Sequence, residues 1–249
     1  EFECFGAVGI TGDFMDRAVA LSEAGVTGIC VDVAHGHHQS VLRAVTQLKL
    51  VLPDLHIMAG NIATLDGFNA LADAGADSVR VGVGGGSICS TRIQTGHGVP
   101  TLQSVMDCAK SQQDCLIVAD GGIKNSGDMV KALAAGADAV MVGRMLAGTT
   151  EAPGEVISNP GSAPVKVYRG MASPEAQMAW RGRYSSNEGV SRTVPLKGSA
   201  KEVLFEIDKG IRSGFSYSGA KDIKQLWAKS RFIKQTAAGA KESSTHIDS

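Results

Sequence analysis

The chain has 249 residues, 43% hydrophobic and 20% charged, a size and balance that fit one ordinary globular domain. A net charge of −1 and an aromatic content of 5% offer neither a basic surface nor a stacking platform, which argues against nucleic acid and an anionic membrane as partners. No apolar run approaches the roughly 18 residues of a membrane span, and Glu1-Phe2-Glu3-Cys4 has no signal-peptide pattern.

Taken in chain order, short apolar runs alternate with helical periodicity. A strand is expected over 4–9, a helix over 14–24, a strand ending at Asp32, a helix over 41–51 and a strand over 56–61. A helix over 64–74 follows, then a strand ending at Gly82, a glycine loop, a helix over 102–111, a strand over 115–121, a helix over 126–135 and a strand ending at Gly143. Amphipathic helices are expected over 201–212 and 221–231, and a polar tail over 237–249 that orders through an oligomer.

Three segments read alike: Glu23-Ala-Gly-Val-Thr-Gly-Ile-Cys-Val-Asp32, Asp73-Ala-Gly-Ala-Asp-Ser-Val-Arg-Val-Gly82 and Ala134-Ala-Gly-Ala-Asp-Ala-Val-Met-Val-Gly143. Each reads as a helix end, a glycine stop and a strand buried on both faces, as in a parallel sheet. The spacing, about 50 and 60 residues, makes each period two βα units. Three quarters of an eight-stranded barrel are visible. The expectation is an α/β protein, a (β/α)8 barrel whose first two βα units are missing from this chain. A doubly wound open sheet is the alternative. The expected division is a partial catalytic barrel over 1–165 (strands 3–8), a nucleotide-binding segment and flap over 166–198, and C-terminal helices and tail over 199–249.

The five cysteines, Cys4, Cys30, Cys89, Cys108 and Cys115, are odd in number and lack a Cys-x-x-Cys pair. That opposes a disulfide scaffold or structural zinc and suits a reducing, cytoplasmic setting. Four of them read as buried small hydrophobes. Cys89 differs, because it lies in Val81-Gly-Val-Gly-Gly-Gly-Ser-Ile-Cys-Ser-Thr-Arg92, a glycine loop after a strand, where barrel active sites are built. Gly84-Gly85-Gly86 permits close approach of backbone to a ligand. His35, His37 and His38 form a tempting cluster, but no carboxylate–histidine helix motif accompanies them and no metal is expected there.

The segment Gly84-Gly-Gly-Ser-Ile-Cys-Ser-Thr-Arg92 resembles the cysteine loop of the IMP dehydrogenase / GMP reductase family, which has a TIM-barrel fold and is usually tetrameric. So do Asp32-Val-Ala-His-Gly36, Ala59-Gly-Asn-Ile-Ala-Thr64, Ala119-Asp-Gly-Gly-Ile123 with Ser126-Gly-Asp128, Glu151-Ala-Pro-Gly-Glu155, Tyr168-Arg-Gly-Met171 and Val194-Pro-Leu-Lys-Gly198, over nearly the whole chain and in order. The resemblance implies that the Cys89 thiolate attacks C2 of a purine and that hydride passes between C2 and a nicotinamide. It implies a nucleotide site of Ser87, Asp120, Gly121, Gly122, Gly143, Tyr168, Gly170 and Met171. Arg144 stands there where the family usually has a small residue, and its guanidinium would add a charged hydrogen bond to the phosphate. Asp32, Asn61, Gly82 and Gly84 fall on the NAD or NADP side. Gly84, Gly86 and Cys89, with Glu242 and Ser243 from a neighbouring subunit of a homotetramer, fall on a monovalent-cation (K+) site.

Both family activities pass through a thioimidate on Cys89. The dehydrogenase makes it from IMP and hydrolyses it to XMP, and the reductase makes it from GMP and reduces it to IMP. Arg183-Tyr184 matches the dehydrogenase pair that activates water, and Thr91 with Glu188 matches the reductase pair. The short spacing from Tyr184 to Glu188 is reductase-like. Glu151 to Glu155, Arg212-Ser-Gly214 and the Glu242-Ser243 tail are dehydrogenase-like. The balance favours IMP dehydrogenase. GMP reductase is the alternative, and a purine-nucleotide-binding paralogue without turnover is a third reading.

Overall fold

The computed structural model describes residues 3–183, 185 and 187–243. Its centre is a parallel sheet in the order β1 (Phe5–Val8), β2 (Gly28–Asp32), β3 (His56–Ile62), β4 (Ser78–Val81), β5 (Leu116–Asp120) and β6 (Ala139–Met141). The strands are crossed over by α1 (Phe14–Glu23), α2 (Gln39–Val51), α3 (Leu65–Asp73), α4 (Thr91–Thr95) with α5 (Thr101–Cys108), and α6 (Ser126–Ala134). Strand order equals chain order, as in a barrel wall, and the sheet curls part of the way round one. The alternation matches the sequence reading to within two residues at most ends; α5 ends three residues earlier than expected.

The repeat has a physical basis. Gly25, Gly75 and Gly136 carry φ of 87°, 101° and 115°, the left-handed backbone that ends a helix and turns it into the next strand. Two residues on, a polar side chain fastens the start of the preceding strand. Thr27 Oγ1 accepts the Cys4 amide at 3.0 Å, Asp77 Oδ2 the Ile57 amide at 2.7 Å, and Asp138 Oδ2 the Ile117 amide at 2.8 Å. The stop and the fastener therefore recur together, and each pins a pair of neighbouring strands in register.

Side chains alternate along each strand. Ile29, Val31, Ile57 and Val79 pack outward against Val45, Leu48 and their neighbours in the helical layer and are fully buried. Inward positions carry Cys30, Asp32, Arg80 and Asp120, whose side chains bond to one another. The inner face is therefore polar at the carboxyl ends of the strands, not uniformly apolar as the runs alone imply.

Beyond β6 come α7 (Arg144–Ala147) and a three-stranded antiparallel sheet of β7 (Val156–Ile157), β8 (Val165–Arg169) and β9 (Ser191–Pro195), with α8 (Pro174–Arg181) in the β8–β9 connection. Then follow α9 (Ala200–Tyr217), α10 (Ile223–Lys229) and α11 (Ala237–Glu242). Ser199 and Glu202 close a capping box on α9, which runs five residues past its expected end and lies on α6. The described part of the tail, 237–243, departs from expectation: α11 forms within a single chain, with the Thr236 hydroxyl accepting the Gly239 amide, while 244–249 lie outside the described residues. Cys4 also departs, being exposed just ahead of β1, whereas Cys30 and Cys108 are buried. Among the described residues, no helix is long and apolar enough to cross a membrane.

Candidate active site

The loop after β4 lies directly against the loop after β5. Gly82 has φ 143°, and a Cβ there would fall 1.9 Å from the Asp120 carbonyl; Gly121 has φ 91°, and its Cβ would press on the backbone of Gly85 and Gly86. Only glycine allows two backbones this close. Their contact lines up the glycine loop with the carboxyl end of β5.

The same loop is strapped from its other side by a distant segment. The Ser90 amide donates to the Glu188 carbonyl at 2.8 Å, the Val190 amide donates to the Ile88 carbonyl at 3.0 Å, and Cys89 bridges Gly189 in antiparallel sense. The Ser90 hydroxyl adds a bond to the Asn187 carbonyl at 3.0 Å. This pairing brings Glu188 to Cys89 across nearly a hundred residues of chain. The Cys89 thiol donates to Thr91 Oγ1 at 3.1 Å, and the Thr91 hydroxyl donates to Glu188 Oε2 at 2.8 Å. Cys89, Thr91 and Glu188 are each partly buried. A thiol, a hydroxyl and a carboxylate in series can pass a proton away from sulfur, the arrangement an activated nucleophile needs.

Beside this relay lies a cavity of about 150 Å³. Seven predicted nucleotide-site residues line it: Ser87, Asp120, Gly121, Gly122, Gly143, Arg144 and Tyr168. Gly170 packs near Ile88, one residue before Cys89, and Met171 is exposed. A larger cavity, about 540 Å³, opens at the opposite end of β5 among Cys108, Cys115 and Trp227 and holds none of the predicted residues. Its size does not outweigh the chemistry gathered at the smaller one.

Three of the four predicted cofactor residues, Asp32, Asn61 and Gly82, meet in a network centred on a residue the sequence reading missed. Arg80, whose side chain is 12% exposed, donates to Asp32 Oδ1 at 2.8 Å and to Asp120 Oδ2 at 3.1 Å. Its path crosses Gly60, where a Cβ would meet Arg80 Cβ at 2.6 Å. Asn61 Nδ2 donates to Asp120 Oδ2 and to the Gly82 carbonyl, both at 2.8 Å. Burial alone would lower the Arg80 pKa, but Asp32, Cys30 and Asp120 raise it beyond its ordinary value, so the cation is permanent. Burial also pushes the Cys30 thiol up, against the pull of Arg80. Among the described residues Asn61 Oδ1 has no hydrogen-bond partner, a buried acceptor within this network. A signal for Arg80 existed, namely one charged residue inside an otherwise apolar strand of the repeat. Lys124, which also lines the smaller cavity, carried no such signal.

Other predicted residues stand apart. Arg183 is exposed, and no hydrogen bond joins it to Cys89, Thr91 or Glu188 among the described residues; Tyr184 lies outside them. Gly84 and Gly86 sit in the loop, and the Gly86 carbonyl accepts the Cys89 amide at 3.1 Å. Glu242 ends α11 and Ser243 caps it, on the tail. His38 serves structure: its Nδ1 accepts the Ser40 amide at the start of α2.

Residues 1–246 match the family model described as IMP dehydrogenase / GMP reductase domain. The chain is 49% identical to inosine-5'-monophosphate dehydrogenase of Aquifex aeolicus over 251 residues, 96% of this chain and 51% of that protein. It is 46% identical to the Nitrosopumilus maritimus enzyme of the same name, over 96% of this chain and 53% of that one. The chain thus spans about half the length of the curated relatives it matches. Among solved structures, a Cys-to-Ala variant of GMP reductase from Trypanosoma brucei in complex with guanosine 5'-monophosphate superposes with a TM-score of 0.94 at 43% identity, over 99% of this chain and 52% of that one. Inosine 5'-monophosphate dehydrogenase from Legionella pneumophila gives 0.84 at 48%, over 96% and 74%. By sequence and by fold, the chain belongs to the IMP dehydrogenase / GMP reductase family.

Proposed function

We propose that the chain carries the catalytic residues of a nicotinamide-dependent purine nucleotide oxidoreductase, an IMP dehydrogenase converting IMP, NAD and water to XMP and NADH. The observation that carries this reading is the hydrogen-bonded series Cys89–Thr91–Glu188, which starts on the same glycine loop whose Gly85, Gly86 and Ser87 line a cavity with Asp120, Gly122, Gly143 and Tyr168. A bound nicotinamide supplies the acceptor for hydride. Cys89 attacks C2 of the purine, and the thiol proton leaves through Thr91 toward Glu188. Loss of hydride from C2 leaves a thioimidate on Cys89. Water then adds at C2, sulfur departs, and Arg183 with Tyr184 takes the proton of water. Asp120 has one oxygen held by Arg80 and Asn61, so its other oxygen is available to the ribose hydroxyls.

The second reading, GMP reductase, draws support from the bonded Thr91–Glu188 pair. In that direction Glu188 and Thr91 protonate departing ammonia, and hydride returns to C2. The remaining assignments are parts of the same proposal. The six-stranded sheet belongs to a closed (β/α)8 barrel whose further strands cover the free edges of β1 and β6. The carbonyls of Gly84, Gly86 and Cys89 hold K+ with Glu242 and Ser243 of a neighbour in a homotetramer, and the enzyme works in the cytoplasm.

Two assays decide the direction. Incubation with IMP and NAD should raise absorbance at the reduced-nicotinamide band, and incubation with GMP and NADPH should leave it unchanged. The reverse pattern makes the protein a reductase. Silence in both assays alongside tight nucleotide binding makes it a binding paralogue. Cys89→Ala should abolish turnover and spare most binding, and surviving turnover would remove the covalent step.

A further inference from the structure

Away from the relay, Lys166 on β8 is a buried cation. It is 3% exposed, and no described carboxylate reaches it within the 4.0 Å of a salt bridge. Its ammonium instead donates to three backbone carbonyls, Thr149 at 2.9 Å, Thr150 at 3.3 Å and Ala152 at 2.6 Å. An ammonium has three N–H donors and no acceptor, so the cage meets its full bonding capacity. Carbonyl oxygens converging on one point repel each other unless a cation sits among them, and a buried cation is costly unless such oxygens replace its water. Each half of the arrangement therefore requires the other.

The cage occupies a defined place. Its carbonyls belong to the turn that leaves α7 at Gly148, and Thr149, 1% exposed, ties that turn back through its hydroxyl to the Leu146 carbonyl at 2.8 Å. Two residues along β8, on the same face as Lys166, stands Tyr168. Its hydroxyl lies 2.9 Å from where a Cβ on Gly143 would be, at the entry to α7. One strand thus touches both ends of α7, by an aromatic hydroxyl at its entry and by an ammonium at its exit. Gly143, Arg144 and Tyr168 line the candidate nucleotide cavity, while Lys166 does not.

We propose that Lys166 is a positioning residue, a monovalent cation built into the chain, whose three-carbonyl cage holds β8 against the α7 turn and so sets Tyr168, Gly143 and Arg144 for the anionic end of a nucleotide. The inference rests on the nucleotide reading of that cavity. It makes phosphate-specific affinity depend on a side chain that never touches phosphate.

The test measures binding of IMP and of inosine, which lacks the phosphate, to the native chain and to the Lys166→Met and Lys166→Ala variants. Leaving three carbonyls unpaired should weaken IMP binding by about tenfold or more, with inosine binding changed little. In Lys166→Ala the emptied cage should accept ammonium. In buffer saturating in K+, added ammonium chloride should restore IMP affinity and raise the melting temperature, tetramethylammonium chloride should do neither, and the native chain should respond to neither salt. Equal losses for IMP and inosine, or native IMP affinity in both variants, would overturn the positioning role. Melting of Lys166→Ala that is indifferent to ammonium would overturn the cage, and it can be read even if Lys166→Met does not fold. A native chain that binds no IMP would instead sink the nucleotide reading and leave the ammonium result to judge the cage alone.

Discussion

At the scale of single residues, the site depends on proton traffic and on one shared cation. Thr91 is the middle of the series, so Thr91→Val should break it and Glu188→Gln should remove its acceptor. Each is expected to lower turnover by about a hundred- to ten-thousand-fold with small effect on nucleotide affinity, read by steady-state kinetics beside direct binding. Unchanged turnover in both variants would leave the relay without a role. Arg80 holds two carboxylates at once, and Arg80→Leu would leave both without their cation. A loss of roughly 3 kcal/mol of stability is expected in urea unfolding, and Arg80→Lys, which can reach one carboxylate at a time, should recover part of it. Cys89, the proposed nucleophile, drew attention in the sequence because a cysteine among glycines has no packing reason to be there. Arg80 was marked only by being a lone charge in an apolar strand, and Lys166 was not marked at all, because its partners are backbone carbonyls of the turn after α7, which no local pattern announces.

At the scale of elements, the parallel half of the molecule was readable and the antiparallel half was not. The Ala-Gly stops with Asp77, Asp138 or Thr27 two residues on mark strand starts with fixed spacing, so six strands could be placed from sequence. β7 has only two residues, and β8 buries a lysine where alternation expects an apolar side chain, so the second sheet has no periodic signature. Its order comes from pairing across the chain, Val165 with Pro195 through Arg169 with Ser191. The contact between the β4 and β5 loops gives a sharp expectation. Gly82→Ala would place a methyl group against the Asp120 carbonyl at a φ that alanine avoids. It should cost about 2–3 kcal/mol or more in thermal unfolding and also lower nucleotide affinity, whereas Gly96→Ala, with open space around it at φ 71°, should cost about 1 kcal/mol and leave affinity alone. Equal effects at the two sites would show that the loop contact is not needed.

For the molecule as a whole, the two ends of the sheet differ in chemistry. The carboxyl end gathers Asp32, Arg80, Cys89 and Asp120. The amino end holds Cys108 and Cys115, whose thiols are pushed up to about 12, the first by burial and then Asp107, the second by burial and then Asp77, Asp138 and Asp114. Unfolding frees both thiols to ionise at the ordinary thiol value. Between that value and about 12 the unfolded chain binds fewer protons than the folded one, so stability falls as pH rises through this window. Urea midpoints should therefore drop on moving from neutral to alkaline solution, and a double Cys108→Ala, Cys115→Ala variant should drop less. Identical alkaline losses in the two proteins would place the cause elsewhere.

The bridge from Arg80 to Asp32 and Asp120 bears on how two ligands share the chain. With a nucleotide at Asp120 and the nicotinamide half at Asp32, as proposed, both occupants lean on one guanidinium. Whatever settles on one carboxylate alters the field felt at the other. Their affinities are then tied, each partner changing the other's by the same factor, and calorimetry of either ligand would carry the imprint of its companion.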